Sequence, residues 1–140
     1  RTAWDLYGGV GLFVPALAAA VQGKVISVDY SPAATAAEQP CLADCDVELK
    51  SAKVEQVAAQ LPKPGAVVLD PPRTGAGKDV IRSVAAAAPQ AVVHVGCDPA
   101  TFARDLHYWD EHGYGIEKMA LINAFPGTHH FETIALITPA

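Results

Sequence analysis

Residues 3–29 read AWDLYGGVGLFVPALAAAVQGKVISVD, and this stretch decides the fold. Ala3 to Tyr7 predicts a buried strand, Gly8, Gly9 and Gly11 a tight turn, Leu12 to Val21 a helix, and Lys24 to Asp29 a second strand. A strand, a glycine turn, a crossover helix and a strand make a parallel unit of an α/β sheet. Glycines at the turn let a ligand approach the backbone, and the N–H groups that open the helix favour negative charge. Asp29 ends the second strand, where a carboxylate can receive both hydroxyls of a ribose. Alone, Asp29 reads equally well as a cap before Ser31-Pro32; paired with the glycine turn it points to a nucleotide-type cofactor. The turn is neither GxGxxG nor GxxxxGK[ST], so dinucleotide binding and phosphoryl transfer recede.

The same alternation continues outward. A helix is expected from Pro32 to Glu38, a short strand at Val47–Leu49, a helix over Lys53–Leu61 and a buried strand at Ala66–Leu69 stopped by Asp70-Pro71-Pro72. Helix Asp79–Ala88, strand Ala91–Val95 and helix Pro99–His112 follow, with Phe102 and Trp109 on the packed face of the last. Strands Gly115–Ile122 and Phe131–Thr138, joined through FPGTHH, imply an antiparallel addition to a mainly parallel sheet.

A length of 140 residues suits one compact domain, and the abrupt start at RTAWDLYGG reads as an excerpt of a longer protein. No apolar run is long enough to span a membrane, and Arg1 to Tyr7 does not open a signal peptide, which together favour the cytoplasm. Three cysteines, Cys41, Cys45 and Cys97, fall short of a disulfide scaffold. Cys41 and Cys45 lack a matching CxxC or histidine set, and no third ligand joins His129 and His130, so no metal is expected. A net charge of −5 gives no bulk attraction to nucleic acid.

Three segments carry candidate chemistry. VVLDPPRTGAG sets Asp70 and Arg73 at a strand end with the backbone stiffened by two prolines; the bland alternative is a rigid exit turn. VGCDPATFARD puts Cys97 at the next strand end, before a helix whose N-terminus favours a thiolate and which Asp98 can cap, with Arg104 and Asp105 available for local bonds. A lone cysteine after Val-Gly is as often a small buried filler. FPGTHHFETIAL places Glu132 near the start of an apolar strand, on one face with His130.

From DLYGGVGLF through DPPRTGAG and VGCDPATFARD to FPGTHHFE, the chain resembles the S-adenosylmethionine-dependent RNA uracil-5-methyltransferases over nearly its whole length. The resemblance implies a Rossmann-like class I methyltransferase fold with a seven-stranded, mainly parallel sheet and an antiparallel C-terminal strand. It implies Cys97 as nucleophile, Glu132 as base, and Asp70 and Arg73 in the same pocket. Asp5, Tyr7, Gly8, Gly9, Gly11, Asp29 and Asp70 would form the S-adenosylmethionine site. The substrate it implies is structured RNA, tRNA or rRNA, held mainly by upstream portions that this chain does not include; no membrane or obligate protein partner is called for. Departures from the family pattern are Gly8 where a cysteine is usual, no asparagines after the second strand, and Lys53 at an acidic cofactor-facing position. The rival readings are an amino-directed nucleic-acid methyltransferase, which would not need Cys97, and a noncatalytic cofactor-binding or RNA-interaction domain.

Overall fold

β-branched runs alternating with alanine-rich segments build a doubly wound sheet in the computed structural model, which describes residues 1–8, 13–29, 46–123 and 131–140. The elements are β1 (Thr2–Leu6), α1 (Val14–Val21), β2 (Lys24–Asp29), β3 (Val47–Ser51), α2 (Val54–Val57), β4 (Ala66–Leu69), α3 (Lys78–Ala86), β5 (Ala91–Gly96), α4 (Pro99–Glu111), β6 (Tyr114–Asn123) and β7 (Phe131–Pro139). The seven strands lie in the order β3-β2-β1-β4-β5-β7-β6. β1 to β5 pair in parallel, and β7 runs against both of its neighbours. The alternation of strands and helices predicts this mainly parallel α/β sheet, and its order is the Rossmann-like class I methyltransferase topology that the family resemblance implies. The expected helix at Pro32–Glu38 lies outside the described residues.

Several boundaries differ from the sequence reading, each for a local reason. β1 stops at Leu6 because Tyr7 turns into the left-handed region at φ 59°. The helix expected over Lys53–Leu61 is one turn, Val54–Val57, followed by a 3₁₀ turn at Ala58–Gln60. Leu61 is extended at ψ 152°, as a residue before proline tends to be, and Pro62 and Pro64 prevent continuation. α3 gives way before Pro89, with Ala88 at φ 55°.

Two apolar layers sandwich the sheet. On one face Trp4, Leu6, Ile26, Val28, Val67 and Leu69 pack with Val80, Ile81 and Val84 of α3 and with Phe102 and Trp109 of α4, as expected for those two aromatics. On the other, Ala3, Val25 and Val68 pack with Val14, Leu17 and Val21 of α1. No helix among the described residues is long and apolar enough to cross a membrane.

Strand alternation decides which side chains share the α1 face. Asp5 pairs with Ser27 and Val68, Val68 with Val93, and Val93 with Leu136, so these positions lie on one side of the pleat. Stepping by two along each strand adds Asp29 and Glu132 to that same face, while Asp70 and Cys97 follow directly after the ends of β4 and β5.

Gly96, the last residue of β5, points the other way, towards α4. A Cβ there would collide with the Phe102 ring, whose Cγ would be 2.9 Å away. Gly96→Ala should therefore destabilise the protein by about 1–3 kcal/mol through overpacking, measured by urea unfolding. Unchanged stability would contradict this packing.

Candidate active site

Ligands in open α/β sheets sit outside the carboxyl ends of the strands. Across that edge the strand order sets Asp29 at the end of β2, Tyr7 and Gly8 after β1, Asp70 after β4, Cys97 after β5 and Glu132 at the start of the reversed β7. With neighbouring strands about 4.8 Å apart, Asp29 and Cys97 are separated by roughly 14 Å of sheet.

The β1 end holds a buried carboxylate. Asp5 is wholly buried; the Ser27 hydroxyl donates to its Oδ2 at 3.2 Å, and its Oδ1 has no hydrogen-bond partner in the described structure. Gly8 passes directly over it, its N–H donating to the Val28 carbonyl at 3.0 Å. A Cβ on Gly8 would collide with Ser27 Oγ and sit 2.6 Å from Asp5 Oδ2, so a larger residue there would have to displace these two side chains. Burial pushes Asp5 up to about 6; the Ser27 hydroxyl opposes the rise, and the charges of Asp70 and Asp29 add to it. A buried acceptor with a free lone pair beside a backbone cradle suits a ligand ammonium group.

A cavity of about 480 Å³ opens beside this cradle, lined by Tyr7, Asp29, Lys53, Val54 and Glu55 on one side and by Pro72 and residues 74–80 on the other. Asp29 is half-buried at the cavity wall, and its carbonyl accepts the Ala52 N–H at 3.1 Å, which ties the end of β2 to the segment after β3. Lys53 faces the same space, as expected of the position where the family pattern has an acid. Burial pushes the Tyr7 hydroxyl up to about 12, assisted by the charges of Glu55 and Asp105.

The other half of the site lies towards β5 and β7. Asp70 is raised to about 6, chiefly by burial and in smaller part by the nearby Glu132 charge, with His94 opposing the rise. Its N–H donates to the Leu6 carbonyl at 3.3 Å. Cys97 is an exposed free thiol. Asp98 caps the helix that follows, its Oδ1 accepting the N–H groups of Ala100 at 2.9 Å and Thr101 at 3.2 Å, with Pro99 in the first turn. The antiparallel ladder between β5 and β7 ends at Gly96↔Thr133, so the next residues along the two segments are Cys97 and Glu132. Glu132 is half-buried, opposite Ile122 of β6.

Arg73 is exposed, and its carbonyl accepts the Thr101 hydroxyl at 2.8 Å, which ties the DPPR turn to the helix after Cys97. The structure thus gathers Asp5, Tyr7, Gly8, Asp29, Asp70, Arg73, Cys97 and Glu132 along one edge. Gly9, Gly11, Cys41, Cys45, His129, His130 and the FPG segment lie outside the described residues. Among the described residues no three His, Cys, Asp or Glu side chains form a metal-ligand group. Sequence reading passed over Ser27 and His94; the signal was a polar residue interrupting each of the apolar strands KVISVD and AVVHVG.

A doubly wound sheet of this order, with a glycine-covered carboxylate over β1 and an acid closing β2, defines a class I methyltransferase domain. Residues 51–139 match the tRNA (Uracil-5-)-methyltransferase family, and the chain belongs to that family. It is 56% identical over 134 residues to an uncharacterized RNA methyltransferase of Corynebacterium glutamicum, covering 96% of this chain and 32% of that protein. A counterpart from Streptomyces coelicolor is 39% identical over 146 residues, covering 99% of this chain and 31% of its own length. The crystal structure of Pyrococcus abyssi tRNA (uracil-54, C5)-methyltransferase in complex with S-adenosyl-L-homocysteine superimposes with a TM-score of 0.82 at 29% identity, covering 97% of this chain and 34% of that one. The chain spans about a third of the length of the curated relatives it matches.

The raised Asp5 carboxyl has a consequence for stability. Between its ordinary value of 3.8 and about 6 the folded protein binds more protons at Asp5 than the unfolded chain does. Its contribution is therefore most favourable at low pH and is lost as pH rises towards and past 6. In ligand-free protein, the stability of Asp5→Asn relative to wild type should improve by about 2 kcal/mol between pH 4.5 and pH 7.5 in urea unfolding. Parallel pH profiles would show that Asp5 is not held in this state.

Proposed function

We propose that this chain is the single catalytic domain of an enzyme that methylates carbon 5 of a uridine in tRNA or rRNA, using S-adenosylmethionine. The observation that supports the proposal is the β5–β7 ladder, which ends at Gly96↔Thr133 with Cys97 the next residue after β5 and Glu132 the residue before Thr133 on β7. A thiol and a carboxylate so related are the nucleophile and the base that this chemistry requires.

The residues fit the cofactor. Asp5 Oδ1 would accept from the ammonium group of its methionine portion, Tyr7 and Gly8, with Gly9 and Gly11, would follow that portion with backbone, and Asp29 would take the ribose hydroxyls. Lys53 stands at the cavity wall where the family resemblance implies an acid, with Glu55 two residues further along the same wall. When bound, S-adenosylmethionine supplies the electrophilic methyl group that carbon 5 acquires.

Cys97 acts first. Its thiolate adds to carbon 6 of the uracil, the S–C6 bond forms, and the electrons of the 5,6 double bond shift towards carbon 5 and the O4 carbonyl. Carbon 5, ordinarily a poor nucleophile, is thereby enolate-like. After methylation Glu132 removes the remaining proton from carbon 5; those electrons restore the double bond as the C6–S bond breaks and Cys97 departs as thiolate. Asp70, at about 6 beside Glu132, and Arg73, anchored to the Cys97 helix, hold the base in register with the two reacting groups.

A uridine must leave its stack for both faces of carbons 5 and 6 to be reached. With a net charge of −5, the chain leaves the grip on RNA mainly to other portions of the protein. The requirement for a reduced thiol at Cys97 supports a cytoplasmic location.

In the full-length protein, Cys97→Ala should abolish uridine methylation by at least about a thousandfold while leaving affinity for S-adenosylhomocysteine within about twofold. Glu132→Gln should instead retain methylated RNA as a covalent complex that survives denaturing electrophoresis, because the final elimination lacks its base. Methylation that persists in Cys97→Ala would favour the amino-directed reading and remove the covalent step.

A further inference from the structure

On the opposite face of the sheet from Asp5 and Glu132, the protein buries a second polar pair, His94 of β5 and Asp105 of α4. Trp109 Nε1–H donates to His94 Nδ1 at 2.9 Å. An indole only donates, so Nδ1 is unprotonated and the ring carries its proton on Nε2, which faces Asp105 Oδ2 at 3.5 Å. Three further donors converge on the same carboxylate. The Ala76 N–H reaches Oδ2 at 2.7 Å; the Gly77 N–H at 3.2 Å and Arg104 Nη2 at 3.1 Å reach Oδ1. Burial pushes Asp105 up, but the bonds from His94, Ala76, Arg104 and Gly77 outweigh it and hold the group below the usual carboxylate range.

What Asp105 binds is the loop that follows DPPR. Thr101 donates to the Arg73 carbonyl at 2.8 Å, and Arg104 donates to the Thr74 carbonyl at 2.6 Å. Thr101, Arg104 and Asp105 are spaced i, i+3 and i+4, so one face of α4 grips residues 73–77 through their main chain. Gly75 completes the fit: its φ is +82°, and a Cβ there would lie 2.5 Å from Arg104 Nη2 and 2.7 Å from Asp105 Oδ2. Residues 74–77 are also a wall of the cavity that faces Asp29 and Tyr7. α4 itself begins two residues after Cys97.

We propose that Asp105, oriented by His94, is a positioning residue that with Thr101 holds the cofactor-cavity wall in fixed relation to the Cys97 turn. The proposal rests on the methyltransferase reading of this site. Its consequence is that loosening α4 from the loop weakens cofactor binding although neither side chain touches the cofactor. Asp105→Asn would set an amide N–H₂ or a lone carbonyl against donors that now share two oxygens, and would push the loop outward. Thr101→Val removes a single hydroxyl from an exposed bond and keeps the shape of the side chain.

The test uses full-length protein, with S-adenosylhomocysteine binding by calorimetry, steady-state kinetics and thermal unfolding. Asp105→Asn should raise Kd for S-adenosylhomocysteine and KM for S-adenosylmethionine by about tenfold or more, with KM for RNA unchanged. Thr101→Val should raise the same two constants by about fivefold, and Thr101→Ser, which keeps the hydroxyl, should restore them. If Asp105→Asn does not fold, the Thr101 pair decides. A Thr101→Val protein with a Kd within about twofold of wild type, or one whose melting temperature falls while Kd holds, would overturn the proposal and leave the network a purely structural role. Wild-type protein that binds S-adenosylhomocysteine but does not methylate uridine would retire the uracil-5 reading, and the Kd comparison would still decide this one; wild-type protein that does not bind it overturns both.

Discussion

Between Val92–Gly96 of β5 and Thr133–Ile137 of β7 the sheet reverses direction, and the placement of Glu132 relative to Cys97, the pair proposed to react with uridine, depends on the register of that junction. Because side chains alternate along a strand, a slip of one residue would carry Glu132 to the α4 face, away from Cys97 and Asp70. The inward residues of β7 oppose such a slip. Ala135 and Ile137 are fully buried in the same layer as Trp109 and Phe102, and exchanging them for their neighbours would bring Glu132 and Ile134 to the wrong side. Apolar packing on one face of β7 therefore fixes where Glu132 stands on the other, through nothing more than the pleat.

The edge so formed is electrostatically uncomfortable. Asp5, Asp29, Asp70 and Glu132 lie along one edge, and the mutual repulsion of these carboxylates adds to burial in raising Asp5 and Asp70 to about 6. An apo protein gains nothing from a buried carboxylate with an unpartnered oxygen. A cationic ligand group at Asp5 would reverse the sign of that interaction, so the arrangement is costly when empty and favourable when filled. Asp105 shows the contrasting case within the same molecule: equally buried, it is surrounded by donors and lies low, as a structural carboxylate should.

Much of this was legible in the sequence because it is written locally. Gly8 after the first strand, Asp29 closing the next strand, the prolines after Asp70 and the capping Asp98 each act within a few residues, and each sits at the expected strand end. The β5-to-β7 neighbourhood rested on the family resemblance, since periodicity identifies strands but does not pair them. Boundaries shifted where a backbone dihedral, not a side-chain pattern, ends the element: Tyr7 at φ 59° and Ala88 at φ 55°. The His94, Trp109 and Asp105 network escaped because its partners are 11 and 15 residues from His94 in sequence and meet only when α4 folds back over β5. Arg104 and Asp105 were expected to bond locally, and they do, but their larger part is the grip on residues 74–77 across the fold.

The central claim is that Cys97 and Glu132 work in sequence on one uridine. The most direct measurement is mass spectrometry of full-length protein incubated with S-adenosylmethionine and RNA in which the target uridine is replaced by 5-fluorouridine, since fluorine on carbon 5 blocks the proton removal assigned to Glu132. The account predicts a stable protein–RNA adduct on the peptide containing Cys97, heavier by one transferred methyl group. Protein that demonstrably binds both cofactor and RNA yet forms no such adduct, or forms one on another residue, would contradict it.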